Sequence, residues 1–188
     1  RLQLHKLHEL NLLWTQLLLK FMWTFSHAEI DGPDIFILCG ESGSYSNKCT
    51  ISGGLSHFSI GANAGAGILI SGIRFEKATD TSINAFGPKI SHLTIRDCVF
   101  EENTSTDAGA ILIWYEDHVT AKAMYVVIEG CSFVNNQGDD AIILNRGGYL
   151  TVKNTYFSGI QDGWSIVVGQ DGSLLLETTC FYDNYGPV

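Results

Sequence analysis

The feature that most constrains the fold of this chain is a repeated strand-like segment that ends in phenylalanine. Five copies align on their last residue: ILISGIRF (68–75), LTIRDCVF (93–100), VVIEGCSF (126–133), LTVKNTYF (150–157) and LLLETTCF (174–181). The spacing of their phenylalanines is nearly constant, except for one longer step from Phe100 to Phe133. A recurring period of about 24 residues is typical of solenoids. The longer step predicts a loop insertion between Trp114 and Tyr125.

Each copy alternates apolar and variable residues, which is the period of a strand with one buried face. The fifth position predicts a bend, because it holds Gly, Asn or Asp in four of the five copies and these residues tolerate left-handed backbone. A second strand follows the turn, at 110–113, 141–144 and 165–168. Strands that repeat with this period and turn in one direction pair in parallel. We therefore expect an all-β, single-stranded right-handed parallel β-helix of about five to six coils.

Two further columns predict the interior of the solenoid. Three residues after the phenylalanine, an asparagine recurs as Asn103, Asn136 and Asn184, which predicts a ladder of amide hydrogen bonds. Asn103 also begins an N-x-S sequon, but a buried amide cannot carry a glycan. Cys98 and Cys131 lie in an inward column, where cysteine usually acts as a small hydrophobic residue.

The segment 1–28 lies outside the repeat. Residues 10–25 are apolar but contain three polar interruptions, and a membrane span needs about 20 largely apolar residues. A signal-peptide core explains this segment, and an amphipathic helix that caps the open sheet end is the alternative. We divide the chain into this leader or cap at 1–28 and a β-helix domain at 29–188. Because the sequence stops soon after Phe181, at Val188, we expect the last coil to be truncated.

Charge and cysteine placement limit the partners of the chain. Eleven Lys and Arg against 20 Asp and Glu leave a net charge of −9, which argues against nucleic acid and anionic lipid as ligands. Cys39 and Cys49 flank a Gly- and Ser-rich loop, so a disulfide is predicted for an exported protein, with two free thiols as the alternative. We expect an extracellular or cell-surface location. No His or Cys spacing fits zinc, and acidic pairs give only weak support for Ca²⁺.

The repeat reads Leu/Val-x-Ile/Val-x-Gly/Asn/Asp-Cys/Thr-x-Phe-x-x-Asn over roughly 49–184 and resembles that of pectin-lyase-like right-handed β-helix proteins. This superfamily includes pectate lyases, polygalacturonases and surface proteins without known activity. The resemblance therefore implies the fold and leaves the function open.

One segment also resembles the Gly-Asp-Asp-Cys-Ile segment of polygalacturonases, namely QGDDAI at 137–142. The resemblance implies catalytic carboxylates at Asp107, Asp139 and Asp140, with Asp107 stacked one coil below, about 4.8 Å away. The family's Gly-His-Gly and Arg-x-Lys segments have no counterpart, and the nearest cation is Arg146. A solvated acidic turn is the alternative explanation.

Trp114 and Tyr115 begin the inserted loop and place aromatic side chains at a predicted surface. They are candidates for contact with a sugar ring, and covering an apolar column is the alternative. Together the observations favour a secreted or cell-surface β-helix protein without catalysis that contacts glycans or mediates adhesion. A polysaccharide hydrolase or lyase is the alternative function. No cofactor is expected.

Overall fold

A computed structural model describes the chain over residues 27–39, 49–61, 63–65, 67–86, 90–114, 124–169 and 172–185. These ranges contain 20 strands and no helix, and no membrane-spanning helix occurs among them. The strands form three parallel sheets of six strands and one pair of short strands. The predicted right-handed parallel β-helix, of about six coils, is confirmed. The leader or cap predicted for 1–28 lies almost wholly outside the described residues and stays a prediction.

Sheet A contains the second strands that were predicted after each turn. In order of pairing it consists of β1 (Ala28–Ile30), β4 (Phe58–Ile60), β7 (Ile83–Phe86), β11 (Ala108–Trp114), β15 (Ala141–Arg146) and β18 (Trp164–Val168). Its inward column of isoleucines is in register from β7 to β18 and packs in the core. Because β1 pairs with β4, the first coil begins at Ala28, before the start of the repeat pattern that the sequence shows over roughly 49–184.

Sheets B and C contain the phenylalanine repeat, split at its predicted bend. Sheet B consists of β2 (Phe36–Leu38), β5 (Ile68–Ser71), β8 (His92–Arg96), β12 (Tyr125–Glu129), β16 (Gly148–Lys153) and β19 (Gly172–Glu177). Sheet C consists of β3 (Cys49–Ser52), β6 (Ile73–Glu76), β9 (Val99–Glu101), β13 (Ser132–Val134), β17 (Tyr156–Ser158) and β20 (Cys180–Tyr182). The short pair is β10 (Thr104–Ser105) with β14 (Gln137–Gly138).

The five repeat phenylalanines form one internal stack along the solenoid axis. Successive ring centroids from Phe75 through Phe100, Phe133 and Phe157 to Phe181 lie 5.1, 4.8, 4.7 and 5.0 Å apart. The first four rings are fully buried, whereas Phe181 is half-buried at the end of the stack. The predicted register of the repeat is therefore confirmed. Because each ring packs on its neighbours, the stack fixes the order of the coils.

The asparagine ladder is also present. Asn103 Nδ2 donates a hydrogen bond to Asn136 Oδ1 at 2.9 Å, and Asn136 Nδ2 donates to the carbonyl of Phe100 at 2.9 Å. Where the column holds Ala78 or Ile160, the backbone N–H donates to the asparagine of the next coil. Asn103 is fully buried, as the ladder requires. These bonds pair backbone groups that would otherwise be unsatisfied at the turn.

Each coil turns two corners in left-handed backbone, and the sequence predicted only the first. The fifth-position residues have φ angles between 48° and 76°, including the β-branched Thr178. The second corner lies two residues after the phenylalanine, and its φ angles run from 48° to 66°. It is occupied by Lys77, Glu102, Asn135, Gly159 and Asp183. Lys and Glu do not signal a left-handed corner. Backbone N–H groups at both corners bond to carbonyls of the next coil, which offsets the conformational cost.

The five cysteines form one disulfide and leave three free thiols. A disulfide joins Cys39 to Cys49, and the loop between them lies outside the described residues. Cys98 and Cys131 are buried free thiols in the inward column, and Cys180 is an exposed free thiol. Burial raises the pKa of the Cys131 thiol. The two buried thiols are therefore part of the core packing and not of an exposed site.

Candidate functional site

The outer face of sheet A holds a second apolar cluster that is separate from the core. Leu112, Leu144 and Val167 are in register on neighbouring strands and alternate with inward isoleucines. Leu112 and Leu144 are only 6% and 3% exposed although they lie on an outer face. Leu144 and Val167 also line a cleft together with the charged and aromatic residues that form the candidate site.

Asp107 and Asp140 lie on successive coils and share one cation. The backbone N–H of Asp140 donates to the carbonyl of Asp107 at 3.2 Å, which stacks the two turns. Arg146, at the end of β15, reaches back toward both carboxylates. Its Nη2 lies 3.3 Å from Asp107 Oδ1 and 3.4 Å from Asp140 Oδ2. The structure thus brings together two of the three aspartates that sequence analysis named, with a guanidinium between them.

Asp139 takes a different partner from its neighbour. Its backbone N–H donates to the carbonyl of Ser105 at 3.2 Å, so it stacks over β10 and not over Asp107. Its side chain nevertheless lines the same cleft as Asp140. Asp139 therefore adds negative charge to the site without joining the ion pairs made by Arg146.

Glycines allow the chain to approach itself closely just before these aspartates. A β-carbon on Gly138 would collide with the carbonyl oxygen of Ala141, and one on Gly163 would collide with the carbonyl oxygen of Gly138. Gly163 also has a φ angle of +77°. Only glycine satisfies both requirements at this turn. The glycines of the Gly-Asp-Asp and Asp-Gly sequences are therefore needed by the turn itself, whatever the carboxylates do.

A cleft of about 330 Å³ opens beside the ion pairs. Leu144 and Val167 form an apolar floor, and the indole of Trp164 lines it at the start of β18. The remaining lining residues are Asp139, Asp140, Arg146 and Gly169. An apolar floor with a few convergent polar groups is the usual composition of a small-ligand site.

The two tryptophans at the site differ in what covers them. The Arg146 guanidinium carbon lies 4.7 Å from the centroid of the Trp114 ring, so one face of that indole is already occupied. Trp164 is 47% exposed and lines the cleft. Tyr115, the other predicted glycan contact, lies outside the described residues. Trp164 therefore presents the more exposed of the two indoles, and the predicted glycan contacts at Trp114 and Tyr115 stay predictions.

Sequence analysis did not identify Trp164, and it named Arg146 only as the nearest cation. Trp164 directly follows the Gln161–Asp162–Gly163 turn, and the residues in register with it on the two preceding strands are Ala108 and Ala141. A tryptophan at a position that holds alanine in the two preceding coils is a sequence signal from which an exposed aromatic at the site could have been predicted. No such signal predicts that the Arg146 side chain turns back along its own strand to contact Asp107 and Asp140.

A row of carboxylates continues along the same corner. Ser105 Oγ donates to Asp80 at 3.3 Å on one side of the ion pairs, and Gln137 Nε2 donates to Asp162 at 3.1 Å on the other. Within the described ranges, no group of three or more His, Cys, Asp or Glu side chains is arranged to hold a metal ion.

Three stacked parallel sheets, an internal phenylalanine stack and an amide ladder define a right-handed parallel β-helix of the pectin-lyase-like kind. Sequence comparison agrees with this class. The chain is 26% identical to probable endopolygalacturonase B of Aspergillus fumigatus and 28% identical to endopolygalacturonase B of Emericella nidulans, in each case over 96 residues. Each alignment covers 51% of this chain and 24% of the relative. No family model matches, and no solved structure matches at a significant level.

Proposed function

We propose that this chain is an extracellular β-helix protein that binds a polysaccharide in the cleft on sheet A and does not cleave it. The observation that carries this proposal is the position of Arg146 between Asp107 and Asp140, beside the exposed indole of Trp164. The disulfide between Cys39 and Cys49 supports export, since such bonds persist in oxidising compartments.

The ion pairs argue against cleavage. Glycosidases that use two carboxyl groups need space between them for the sugar and, in inverting enzymes, for a water molecule. Here one oxygen of Asp107 and one of Asp140 contact the same nitrogen, Arg146 Nη2, at 3.3 and 3.4 Å. The guanidinium therefore occupies the space between the two carboxylates. These two oxygens are engaged by the guanidinium, so only the second oxygen of each carboxylate is left to contact a ligand.

The composition of the cleft supports a sugar ligand. Trp164 offers an exposed aromatic face of the kind on which the C–H face of a pyranose stacks, and Leu144 and Val167 extend that apolar surface. Asp139 and Asp140 present carboxylate oxygens that accept hydrogen bonds from sugar hydroxyls. The relatives are endopolygalacturonases, so a plant cell-wall polysaccharide of the pectic type is the natural starting point.

A polysaccharide hydrolase is the second candidate. The stacking of Asp107 on Asp140, the resemblance of 137–142 to the polygalacturonase segment and the names of the relatives favour it. In this case Arg146 would have to leave the carboxylates when substrate binds.

One experiment separates the two functions. Purified protein is incubated with a panel of plant and algal polysaccharides, reducing ends and unsaturated products are measured, and binding is followed by affinity electrophoresis on the same panel. We expect retardation on at least one polysaccharide without product. Trp164→Ala should abolish the retardation, whereas Tyr182→Ala, an exposed aromatic on sheet C, should leave it unchanged. Product formation that disappears in Asp140→Asn would overturn the proposal in favour of the hydrolase.

A further inference from the structure

The charge distribution around the cleft bears on the ligand that it accepts. Aspartates line the corner before sheet A on four successive coils. They are Asp80, Asp107, Asp139, Asp140 and Asp162. Three coil steps of about 4.8 Å place them within about 14 Å along the axis. Five carboxylates and the guanidinium of Arg146 leave a net charge of −4 on this corner.

Among the residues that the structure describes, little positive charge lies beside this row. Arg146 is the only Lys or Arg of sheet A among the described residues, and both of its ion-pair partners belong to the row. The other four described cations are on sheets B and C or at their corners, each beside a carboxylate of its own. They are Arg74, Lys77, Arg96 and Lys153. A polyuronate chain in the cleft would therefore meet uncompensated negative charge.

We propose that the cleft accepts an uncharged polysaccharide and repels polyuronate chains, in contrast to what the names of the relatives suggest. The inference rests on the proposed function, because it assigns a ligand class to the same cleft. An uncharged sugar gains the contact with Trp164, the apolar floor and the hydrogen bonds to Asp139 and Asp140. A uronate of the same shape gains the same contacts, but at an ionic strength of about 10 mM, where the Debye length is about 30 Å, its carboxylate is repelled by the whole row.

Repulsion between the uronate carboxylate and the aspartates of the row determines how much more weakly a uronate binds than an uncharged sugar. Several aspartates repel the same uronate carboxylate, so their individual Coulomb terms add. We therefore expect at least about a tenfold weaker affinity for the uronate at low ionic strength, since tenfold corresponds to about 1.4 kcal/mol. The difference should shrink as salt screens the row.

The test compares two ligands that differ only in charge. Oligogalacturonate of defined length and its fully methyl-esterified form are titrated into the complete chain by calorimetry, at about 10 mM ionic strength with EDTA, where the Debye length is about 30 Å. Neutral galactan and arabinan oligomers extend the neutral arm. We expect binding in the neutral arm, with the oligogalacturonate at least about tenfold weaker. Equal or tighter binding of the unesterified oligogalacturonate would overturn the inference while leaving the proposed function intact. Failure of every ligand would remove the proposed function itself.

Charge variants then locate the effect. The double substitution Asp139→Asn and Asp162→Asn removes two charges of the row and should raise affinity for oligogalacturonate more than affinity for its ester. Glu177→Gln removes one charge on sheet B, away from the cleft, and serves as the control. A similar gain from the control would mean that net charge alone, and not the row, excludes the polyuronate.

Discussion

Phe133 is the residue on which the packing of the whole solenoid can be tested. It is fully buried between Phe100 and Phe157, with ring centroids 4.8 and 4.7 Å away and interplanar angles of 4° and 6°. The backbones of these three residues are paired in parallel register. Phe133→Ala therefore removes a ring that contacts both neighbours while the strands hold the coils apart.

The magnitude follows from that geometry. Truncation of a buried phenylalanine costs about 3–5 kcal/mol, and the loss is largest where the surroundings cannot collapse into the cavity. Two stacked aromatic contacts are lost as well, each worth about 0.5–1.5 kcal/mol beyond area burial. We therefore expect Phe133→Ala to lower the free energy of unfolding by about 4–5 kcal/mol, the upper half of the range for a buried phenylalanine. Phe181 is half-buried and stacks on one ring only, at 5.0 Å, so Phe181→Ala should cost clearly less.

Urea unfolding followed by circular dichroism measures these differences. Ser132 is the matched control: it precedes Phe133 on β13, points outward and is half-buried, so Ser132→Ala should change stability by less than about 0.5 kcal/mol. Equal losses at Phe133 and Ser132 would contradict the register of the stack. A larger loss at Phe181 than at Phe133 would contradict the argument that contacts on both sides set the cost.

Three further predictions concern pH, the amide ladder and the cysteines. Burial against Phe75 lowers the pKa of His57 from 6.5 to about 4. The free energy of unfolding should therefore be full above pH 6.5 and fall between pH 6.5 and 4, by about 2 kcal/mol at pH 5. Thermal unfolding scans measure this loss, and His57→Gln should flatten its pH dependence. Asn136→Ala should cost about 2–4 kcal/mol in urea, because it removes the acceptor of the Asn103 backbone N–H, one of the two acceptors of the Asn103 side-chain amide and a donor to the Phe100 carbonyl, and the exposed Gln137→Ala should cost far less. Peptide mapping of non-reduced protein should recover Cys39 linked to Cys49, and two alkylated thiols there would refute the bond.

The interior could be predicted because its columns are restricted by packing. A phenylalanine that must stack on the ring of the next coil has to keep the same position in each repeat. An asparagine that must reach the carbonyl of the neighbouring coil is restricted in the same way, so both residues recur at a fixed position in the sequence. The second left-handed corner escaped prediction for the opposite reason. Lys77 and Glu102 point to solvent there, and their backbone geometry is fixed by hydrogen bonds to neighbouring coils and not by residue type.

The candidate site could be predicted only in part. The resemblance of 137–142 to the polygalacturonase segment implies Asp139 and Asp140 as candidates, and the period of one coil adds Asp107, because it brings neighbouring turns together. The partner shared by Asp107 and Asp140 was not predictable, because Arg146 lies six residues beyond Asp140 and meets it only through a side chain that turns back along the strand. Trp164 gained importance only once its neighbours in the preceding coils were known to be alanines.

The architecture explains why a chain can resemble polygalacturonases and still carry a different site. Inward columns determine the fold, whereas the exposed charged and aromatic residues at the edge of sheet A are less restricted by packing and can vary. The Gly-Asp-Asp turn contains residues of both kinds. Its glycine is required by the fold, because Gly138 approaches Ala141 closely, whereas its aspartates line the cleft. The turn is therefore expected to persist whether or not cleavage does. What distinguishes the two cases is the neighbouring group, and here that group is Arg146, which binds both carboxylates.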